Sequence, residues 1–348
     1  MIGSGEKIPV AVLGATGAVG QRFVALLANH PWFALTAVTG SERSAGKKYA
    51  DAVRWTQVSS MPPAAADLTV GNSEPPVAAT IAFSALDASV AGETESAFAA
   101  AGTLVVSNAK SHRMSPDVPL VVPEVNPEHL ERIRHSPHAP GAIITNPNCS
   151  TIGLVMALKP LDDAFGLERV SVVTLQAVSG AGLTGASSYE MLDNVVPFIP
   201  EEEEKIERET AKILANEALT LSAQCNRVPV LDGHLCCVSV GLRDSPGESD
   251  VKNAWERFSG EPQERSLPTA PAQALEYREE ADAPQPRRHR DSGGGMTVTI
   301  GRLRPCPVLD YKFVTLSHNT IRGAAGGAIL IAELAVAKGL AGSESPCV

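Results

Sequence analysis

The sequence predicts an α/β protein in which a doubly wound domain precedes an α+β domain. Short apolar runs alternate with amphipathic helical stretches over the first 148 residues, as in parallel βαβ units. Glycines stand where the first apolar run meets the first helical stretch, at Gly14, Gly17 and Gly20. After residue 148 the alternation becomes irregular, which is typical of α+β architecture.

The first domain is assigned to residues 1–148. Residues 8–13 form an apolar run that ends at a glycine, and residues 17–30 continue with helical periodicity until Pro31 stops it. Further strands are predicted at 33–40, 80–86, 103–108 and 119–123, with a helix at 87–102.

The second domain is assigned to residues 149–318, and we expect residues 319–348 to return to the first domain as a helix. The segment 281–295 is rich in Pro, Gly and charge, and we expect a mobile, solvated loop without a catalytic role. Helices are predicted at 149–160, 184–195, 201–219 and 321–340, and strands at 169–178, within 225–242, at 296–303 and at 311–318.

Composition excludes several classes of protein. Of the 348 residues, 44% are hydrophobic and 20% are charged, which supports a packed core. The net charge of −10 argues against a surface that binds nucleic acid or anionic membranes. No apolar run reaches the ~18 residues that span a bilayer, and the N-terminus has no signal-peptide pattern. Because the six cysteines include no CxxC pair, we expect a reduced, cytoplasmic protein without a metal site.

The glycine-rich joint GATGAVG, residues 14–20, predicts a dinucleotide site of the Rossmann type. Glycine there allows a tight turn and lets a pyrophosphate approach the helix N-terminus, whose free N–H groups favour anions. The spacing GxxGxxG also fits a tight turn that binds no ligand. The second strand runs into Ser41, Arg43 and Ser44, which suit a 2′-phosphate better than a ribose hydroxyl. The sequence therefore predicts NADP over NAD.

Cys149 stands at the predicted start of a helix, in TNPNCSTIGL. The helix dipole and the free amides at this position lower the pKa of a thiol, and Ser150 and Thr151 are expected to support the thiolate and an oxyanion. A small buried hydrophobe is the alternative, because most cysteines behave as one. Beside a nicotinamide a thiolate has a natural reaction, in which hydride transfer interconverts a thioester and an aldehyde.

Arg227 and His234 are candidate partners of this cysteine. On one straight strand their separation of seven would put them on opposite faces. If Asp232 and Gly233 form a two-residue hairpin turn, both side chains face one pocket. Otherwise they are a surface arginine and a turn histidine.

The acidic run at 201–204, followed by Lys205, opens the predicted charged helix. By default it is a solvated helix start, where acidic side chains complement the helix dipole. A functional interpretation would use Glu202 and Lys205, which share a helical face.

Eight segments, taken in order, resemble the aspartate-β-semialdehyde dehydrogenase family over essentially the whole chain. Each segment alone is weakly specific, but their common order is highly specific. The wording of NPNCST and NTIRGAAGGAI is similar to the archaeal and fungal branch of the family. The segments are GATGAVG, SERSAGKK, RMSPDVPLVVPEVN, NPNCSTIG, LQAVSGAG, EEEEKIE, RVPVLDGH and NTIRGAAGGAI.

The resemblance implies a role for each residue at a matching position. Cys149 resembles the acyl-thioester nucleophile, His234 the acid/base, and Gln176 the residue that orients the substrate. The implied substrate ligands are Arg227 for an α-carboxylate, Glu202 for an α-ammonium, and Arg113 with Lys205 for a phosphate. The implied cofactor ligands are Gly14, Thr16, Gly17, Ala18 and Val19 at the pyrophosphate, Ser41, Arg43 and Ser44 at the 2′-phosphate, and Ser179, Gly180 and Asn319 near the nicotinamide.

The implied reaction is the NADPH-dependent reductive dephosphorylation of L-aspartyl-4-phosphate to L-aspartate 4-semialdehyde, through a thioester on Cys149. His234 would protonate the collapsing hemithioacetal. The product supplies the biosynthesis of methionine, threonine and isoleucine, and of lysine where the diaminopimelate route exists. The resemblance also implies a dimer formed by the second domain, and often a homotetramer in the archaeal and fungal branch.

Two other interpretations remain open. A related cysteine-dependent acyl reductase, acting on malonyl-CoA or on N-acetyl-glutamyl phosphate, would share the mechanism. Neither substrate presents a free α-ammonium to Glu202, which argues against both. A non-catalytic NADP-sensing protein would keep the glycine loop, with no need for Cys149, Arg227 and His234 to converge.

Overall fold

Two six-stranded sheets organise the computed structural model, which describes residues 7–182 and 188–341. Within these ranges no helix is long and apolar enough to cross a membrane. The strands are β1 (Ile8–Leu13), β2 (Phe33–Gly40), β3 (Val70–Asn72), β4 (Ile81–Ser84), β5 (Leu104–Ser107), β6 (Ala142–Thr145), β7 (Leu167–Gln176), β8 (Thr220–Arg227), β9 (His234–Leu242), β10 (Leu275–Arg278), β11 (Val298–Pro305) and β12 (Tyr311–Ser317). The α-helices are α1 (Ala18–Leu27), α2 (Tyr49–Ala52), α3 (Pro63–Ala66), α4 (Ala88–Ala100), α5 (Cys149–Phe165), α6 (Ser188–Met191), α7 (Glu202–Leu214), α8 (Glu248–Glu256), α9 (Glu261–Glu264), α10 (Pro286–His289) and α11 (Gly326–Ala337). Short 3₁₀ segments lie at Pro127–His135, Val178–Ala181 and Ser292–Gly295, and a π-helical turn at Ile321–Ala325.

The first sheet is parallel throughout, in the order β3-β2-β1-β4-β5-β6. This is a doubly wound sheet whose strand order reverses between β1 and β4, and ligand crevices open at the carboxyl ends of the strands at such a point. The loops after β1 and β4 meet there, because a Cβ on Gly14 would lie 2.7 Å from the carbonyl oxygen of Ala85. The predicted Rossmann-like fold of the first domain is confirmed.

The second sheet is mixed, in the order β10-β11-β12-β9-β7-β8. Strand β7 pairs in parallel with β8 on one side and antiparallel with β9 on the other. The predicted hairpin at Asp232 and Gly233 is therefore wrong. Residues 228–233 instead cross the end of β7 and connect two strands that are not neighbours, so the local Asp-Gly turn signal closes no hairpin.

The C-terminal helix α11 lies in the core of the first domain, as predicted, where its apolar side chains pack with those of β1, β4 and β5. A π-helical turn precedes it, and such turns occur frequently at functional sites. In this turn Arg322 forms a buried, bidentate ion pair with Glu124, at 2.8 and 2.5 Å. The turn also touches the start of α5, because a Cβ on Gly323 would lie 2.8 Å from the Cβ of Cys149.

Short elements account for the differences from prediction in the first domain. The predicted strand at 119–123 is wrong, since the segment forms only one isolated bridge, between Leu120 and Thr145. Proline at 119 and at 123 removes two backbone donors that a strand would need. Strands β3 and β6 escaped prediction because three or four residues give too little pattern.

Two segments of the second domain also differ from prediction. The first four residues of the predicted helix at 184–195, residues 184–187, lie outside the described residues, and α6 is the helix formed in the rest. The segment 281–295 was expected to be a mobile loop, but it folds into α10 and a 3₁₀ turn. The reason is burial, because His289 is buried and a Cβ on Gly233 would lie within 3.3 Å of the Cβ atoms of Pro286 and Arg290.

We expect Arg322→Met to lower the free energy of unfolding by about 3–5 kcal/mol, because it leaves the Glu124 carboxylate buried without its partner. The double variant Glu124→Gln/Arg322→Met should recover part of this loss, since a neutral amide is less costly to bury than a carboxylate. Urea unfolding followed by circular dichroism measures both. Equal stability of Arg322→Met and the wild type would contradict this account of the ion pair.

Candidate active site

A cavity of about 610 Å³ lies where the loops after β4 and β5 meet the start of α5 and the end of β7; we call it the main cavity. It collects most of the residues that the sequence singled out: Val19, Arg113, Cys149, Gln176, Ser179, Gly180, Glu202, Lys205, Arg227 and Asn319. His234 lies behind Cys149, outside the lining. The other predicted residues of the glycine joint and those of the loop after β2 also lie outside it: Gly14, Thr16, Gly17, Ala18, Ser41, Arg43 and Ser44.

Asn148 caps the helix that begins with Cys149. Its Oδ1 accepts hydrogen bonds from the N–H groups of Ser150 (2.9 Å) and Thr151 (3.3 Å). Helix α5 is capped by a side chain at its first turn, as Asn prefers at this position. The expectation that Ser150 and Thr151 donate to the thiolate and an oxyanion is therefore wrong for their backbone amides, because the cap already uses them.

Two carboxylates on α7 hold Asn148 in turn. Its backbone N–H donates to Glu209 Oε2 (2.6 Å), and its Nδ2 donates to both carboxylate oxygens of Glu202 (2.9 Å each). Both glutamates are buried. The residue before the nucleophile thus has its amide, its side-chain donor and its side-chain acceptor engaged, which fixes the start of α5.

Glu209 is the main site residue that the sequence did not reveal. Besides Asn148, it binds Arg113, whose Nη1 donates to Glu209 Oε1 at 2.9 Å. Its signal was available: Glu209 follows Glu202 by seven residues, two helical turns on, and so shares its buried face. Local composition does not indicate this buried face, because both residues lie in a highly charged stretch that is typical of an exposed helix.

Cys149 and His234 are in direct contact, with 3.3 Å between Sγ and Nε2. The backbone N–H of Ala177 donates to His234 Nδ1 (3.0 Å). An amide nitrogen can only donate here, so Nδ1 is the unprotonated nitrogen and Nε2 carries the ring proton. In the free protein His234 therefore presents a donor, and not an acceptor, to the sulfur.

The sheet brings Gln176, Arg227 and His234 together from three neighbouring strands. Gln176 at the end of β7 pairs in register with Arg227 at the end of β8, and β9 begins with His234 on the other side. The Ala177 carbonyl accepts from Arg227 Nη1 (2.8 Å), while the Ala177 N–H holds His234. A Cβ on Gly180 would lie 2.9 Å from Arg227 Nη1 and 3.2 Å from His234 Nε2, so a larger residue there would displace the Arg227 guanidinium and crowd the His234 ring.

The electrostatics of the free site favour neutral forms of the reactive pair. Burial, followed by the Glu202 carboxylate, raises the pKa of Cys149 to about 12, and Arg113 and Arg227 oppose that rise. Burial, followed by the charge of Arg227, lowers the pKa of His234 to about 3. No group of three His, Cys, Asp or Glu side chains within the described ranges is placed to hold a metal ion.

The glycine joint fits a dinucleotide. The fold itself requires Gly14 and Gly20, because a Cβ on either would lie under 3 Å from backbone atoms. Gly17 is different, since the nearest atom to its Cβ position, the Gly14 carbonyl oxygen, is 3.5 Å away. Gly17 precedes α1, which no side chain caps. The free amides and the open space at this helix start suit a pyrophosphate.

The turn after β2 lies beside this joint. Ser44 N–H donates to the Ser41 carbonyl (2.8 Å), and a Cβ on Gly40 would lie 3.3 Å from Ser44 Cβ and 3.5 Å from Thr16 Cγ2. Arg43 is exposed within the turn. The predicted pyrophosphate and 2′-phosphate ligands are therefore neighbours in space, as one cofactor requires.

Asn319 links two loops of the site. Its Oδ1 accepts from the Gly233 N–H, and its Nδ2 donates to Ser179 Oγ, both at 2.8 Å. Gly233 immediately precedes His234, and Ser179 lines the main cavity. Asn319 thus holds the backbone that immediately precedes His234, and it also holds the side chain of Ser179.

Comparisons with known proteins identify the family to which the chain is similar. The family model "Semialdehyde dehydrogenase, NAD binding domain" matches residues 9–133, and "Semialdehyde dehydrogenase, dimerisation domain" matches residues 158–322. The aspartate-semialdehyde dehydrogenases of Schizosaccharomyces pombe and Archaeoglobus fulgidus are each 47% identical over 95% of this chain and 98% of their own.

Solved structures are similar over the same extent. The aspartate-semialdehyde dehydrogenase of Candida albicans, determined with NADP, has a TM-score of 0.89 at 44% identity and covers 96% of this chain and all of its own. Aspartate-semialdehyde dehydrogenase II of Vibrio cholerae, complexed with ASA, has a TM-score of 0.79 at 31% identity and covers 96% of this chain and 99% of its own. The resemblance inferred from the sequence is confirmed, and the chain belongs to the aspartate-semialdehyde dehydrogenase family.

Proposed function

We propose that this chain catalyses the NADPH-dependent reductive dephosphorylation of L-aspartyl-4-phosphate to L-aspartate 4-semialdehyde, within the biosynthesis of aspartate-derived amino acids. The observation that carries the proposal is the charge pattern around Cys149 in the main cavity. The cavity offers the guanidinium of Arg227, the carboxylate of Glu202, and the cations Arg113 and Lys205. These match the carboxylate, ammonium and phosphate of an amino-acid acyl phosphate.

In this mechanism the sulfur of Cys149 attacks the acyl carbon and loses its proton. The bond from that carbon to the phosphate oxygen breaks, and the proton departs with the phosphate as HPO₄²⁻, so that a thioester remains on Cys149. When bound, NADPH supplies the hydride that reduces the thioester carbon. The resulting hemithioacetal anion expels the Cys149 thiolate as the aldehyde forms, so this collapse itself consumes no proton. The thiolate then takes one proton from solvent and returns to the neutral thiol of the free site.

His234 serves the oxyanions of both halves of the reaction. Its Nε2–H lies 3.3 Å from the sulfur, next to the carbon that is attacked. Because collapse releases a thiolate, His234 stabilises the oxyanion as a hydrogen-bond donor and need not transfer its proton. This refines the acid/base role implied by the family resemblance, since the Ala177 N–H already occupies Nδ1.

The proposed substrate ligands Glu202 and Arg227 also form hydrogen bonds with other residues of the site. Glu202 would take the α-ammonium while it anchors Asn148, and its Oε2 also accepts from Gln176 Nε2 (3.2 Å). Arg227 would clamp the α-carboxylate from its fixed place on the Ala177 carbonyl. Binding therefore adds to a site that is already preorganised.

For NADPH, we infer that Gly17 and the start of α1 take the pyrophosphate and that Arg43 takes the 2′-phosphate. We further propose the domain division 1–148 with 319–348, and 149–318. A homodimer or homotetramer in the cytoplasm is the proposed state. Exposed apolar side chains at Leu192, Val195 and Phe198, within the region matched by the dimerisation model, support self-association.

We expect Cys149→Ala to reduce the phosphate-dependent oxidation of L-aspartate 4-semialdehyde at least about 1000-fold, while NADPH still binds. Absorbance at the nicotinamide band measures turnover, and fluorescence titration measures binding. The wild type should also reduce aspartyl phosphate in strong preference to malonyl-CoA or N-acetyl-glutamyl phosphate. Full activity of the variant would refute the thioester mechanism, and preference for either other substrate would refute the substrate.

The pH dependence of thiol alkylation tests whether Cys149 and His234 are both neutral in the free protein. Because His234 Nδ1 is occupied and Nε2 already carries a proton, His234 cannot take the Cys149 proton in the free protein. Alkylation of Cys149 in the free protein should therefore keep rising with pH beyond about pH 9, the range of an ordinary thiol. Cys149→Ala corrects for the other cysteines. A plateau between about pH 6 and 8 would instead show a thiolate–imidazolium pair.

We expect Arg43→Ala to lower the preference for NADP over NAD by roughly 10- to 100-fold, the value of charge-assisted hydrogen bonds to a phosphate. The ratio of kcat/KM for the two cofactors is the measurement. Lys47→Ala, in the same loop and also exposed, is the matched control and should change the ratio little. An unaltered ratio in Arg43→Ala would remove the 2′-phosphate assignment.

A further inference from the structure

Three cations separate the main cavity from a second cavity of about 350 Å³, the outer cavity. Among residues 7–182 and 188–341, those that line both cavities are Lys110, Arg113 and Lys205. Arg113 and Lys205 are the phosphate ligands proposed above. Lys110 has no role so far, although it stands at the same boundary and on the same loop as Arg113.

Glu201 holds two of these cations from the outer side. Its carboxylate forms an ion pair with Lys110 and lies 3.7 Å from the ammonium of Lys205. Lys205 in turn lies 3.3 Å from Glu202, which lines the main cavity. A chain of alternating charges therefore runs from the outer cavity to the site of chemistry.

The contact between Lys110 and Glu201 is suited to exchange. Their side chains are 45% and 60% exposed, and ion pairs between exposed side chains contribute little stability. A phosphate group brings about two charges and three acceptor oxygens, against the single charge of one carboxylate. An incoming phosphate can therefore replace Glu201 on the two lysines.

The backbone of Glu201 is also unusual. It precedes α7 with φ 60° and ψ 6°, in the left-handed region that non-glycine residues rarely adopt. Its side chain does not cap the helix that follows. The strained position aims the carboxylate at the lysines instead, and such outliers cluster at functional sites.

We propose that Lys110 is a third ligand of the substrate phosphate, and that Glu201 occupies Lys110 and Lys205 as an internal anion until the phosphate displaces it. The proposal rests on the proposed function and deepens it by adding a specificity residue and a competitor. Glu201 keeps the two ammonium groups in place at the cavity boundary. Its release lets both point at the leaving phosphate, beside Arg113.

The two roles predict opposite changes in the KM for inorganic phosphate during oxidation of L-aspartate 4-semialdehyde. Lys110→Met should raise this KM at least about fivefold, since one charged ligand is lost. Glu201→Gln should lower it about two- to fivefold, because the competitor is neutralised. In both variants the KM values for NADP and for the aldehyde should change less than about twofold. Lys110→Arg should restore most of the phosphate affinity.

Control variants come from the outer cavity itself. Arg208→Met and Glu204→Gln remove exposed charges of the same signs from its lining, and neither residue lines the main cavity. They should leave the KM for phosphate within about twofold of wild type. If they shift it as much as Lys110→Met and Glu201→Gln do, the effect is the general field of the surface and the proposal fails.

Calorimetric titration of inorganic phosphate into the wild type, Lys110→Met and Glu201→Gln gives a readout that needs no turnover. Weaker binding to Lys110→Met and tighter binding to Glu201→Gln support the proposal even if the assigned substrate is wrong. Unchanged phosphate affinity in active variants overturns the proposal and leaves the proposed function intact. Failure of the wild type to bind phosphate overturns both.

Discussion

The architecture of the site depends on the hydrogen bonds of Asn148. Its side chain closes the first turn of α5, and its remaining donors end on two buried carboxylates of α7. The nucleophile is therefore positioned by a residue from its own helix and by a second helix more than fifty residues further along the chain. Because the cap consumes hydrogen-bond donors of the helix start, α5 can favour negative charge at Cys149 through its dipole but offers few amides to an anion.

The backbone of Ala177, which directly follows β7, positions the site residues that come from the second sheet. Its carbonyl fixes Arg227 and its N–H fixes the tautomer of His234, so the geometry and the protonation pattern share one origin. The buried ion pair of Arg322 with Glu124 holds the π-helical turn, which packs against Cys149. Three separate polar arrangements thus meet around one sulfur and position it from the helix, the sheet and the π-helical turn.

The sequence was informative where the signal is local. Alternating apolar runs and the glycine joint gave the first sheet, and the flanking residues of Cys149 gave the start of α5. Strand pairing in the second sheet could not be predicted, because β7 lies between β8 and β9 and pairs with both. The local turn at Asp232 therefore does not join two paired strands. Glu209 was missed for a related reason. Its burial depends on the packing of α7 against α5, and its composition matches that of its solvated neighbours.

The connection between β8 and β9 has a consequence for how the chain tolerates changes in length. Residues 228–233 cross two strand spacings, about 10 Å. Backbone hydrogen bonds join them to the end of β7 and to the residues that follow it. Val228 donates to the Gln176 carbonyl, and the carbonyls of Val230 and Leu231 accept from Val178 and Ser179. An inserted residue would shift all these bonds at once. Surface loops usually accept insertions, but this one sets the register of three strands and would be among the least permissive positions in the molecule.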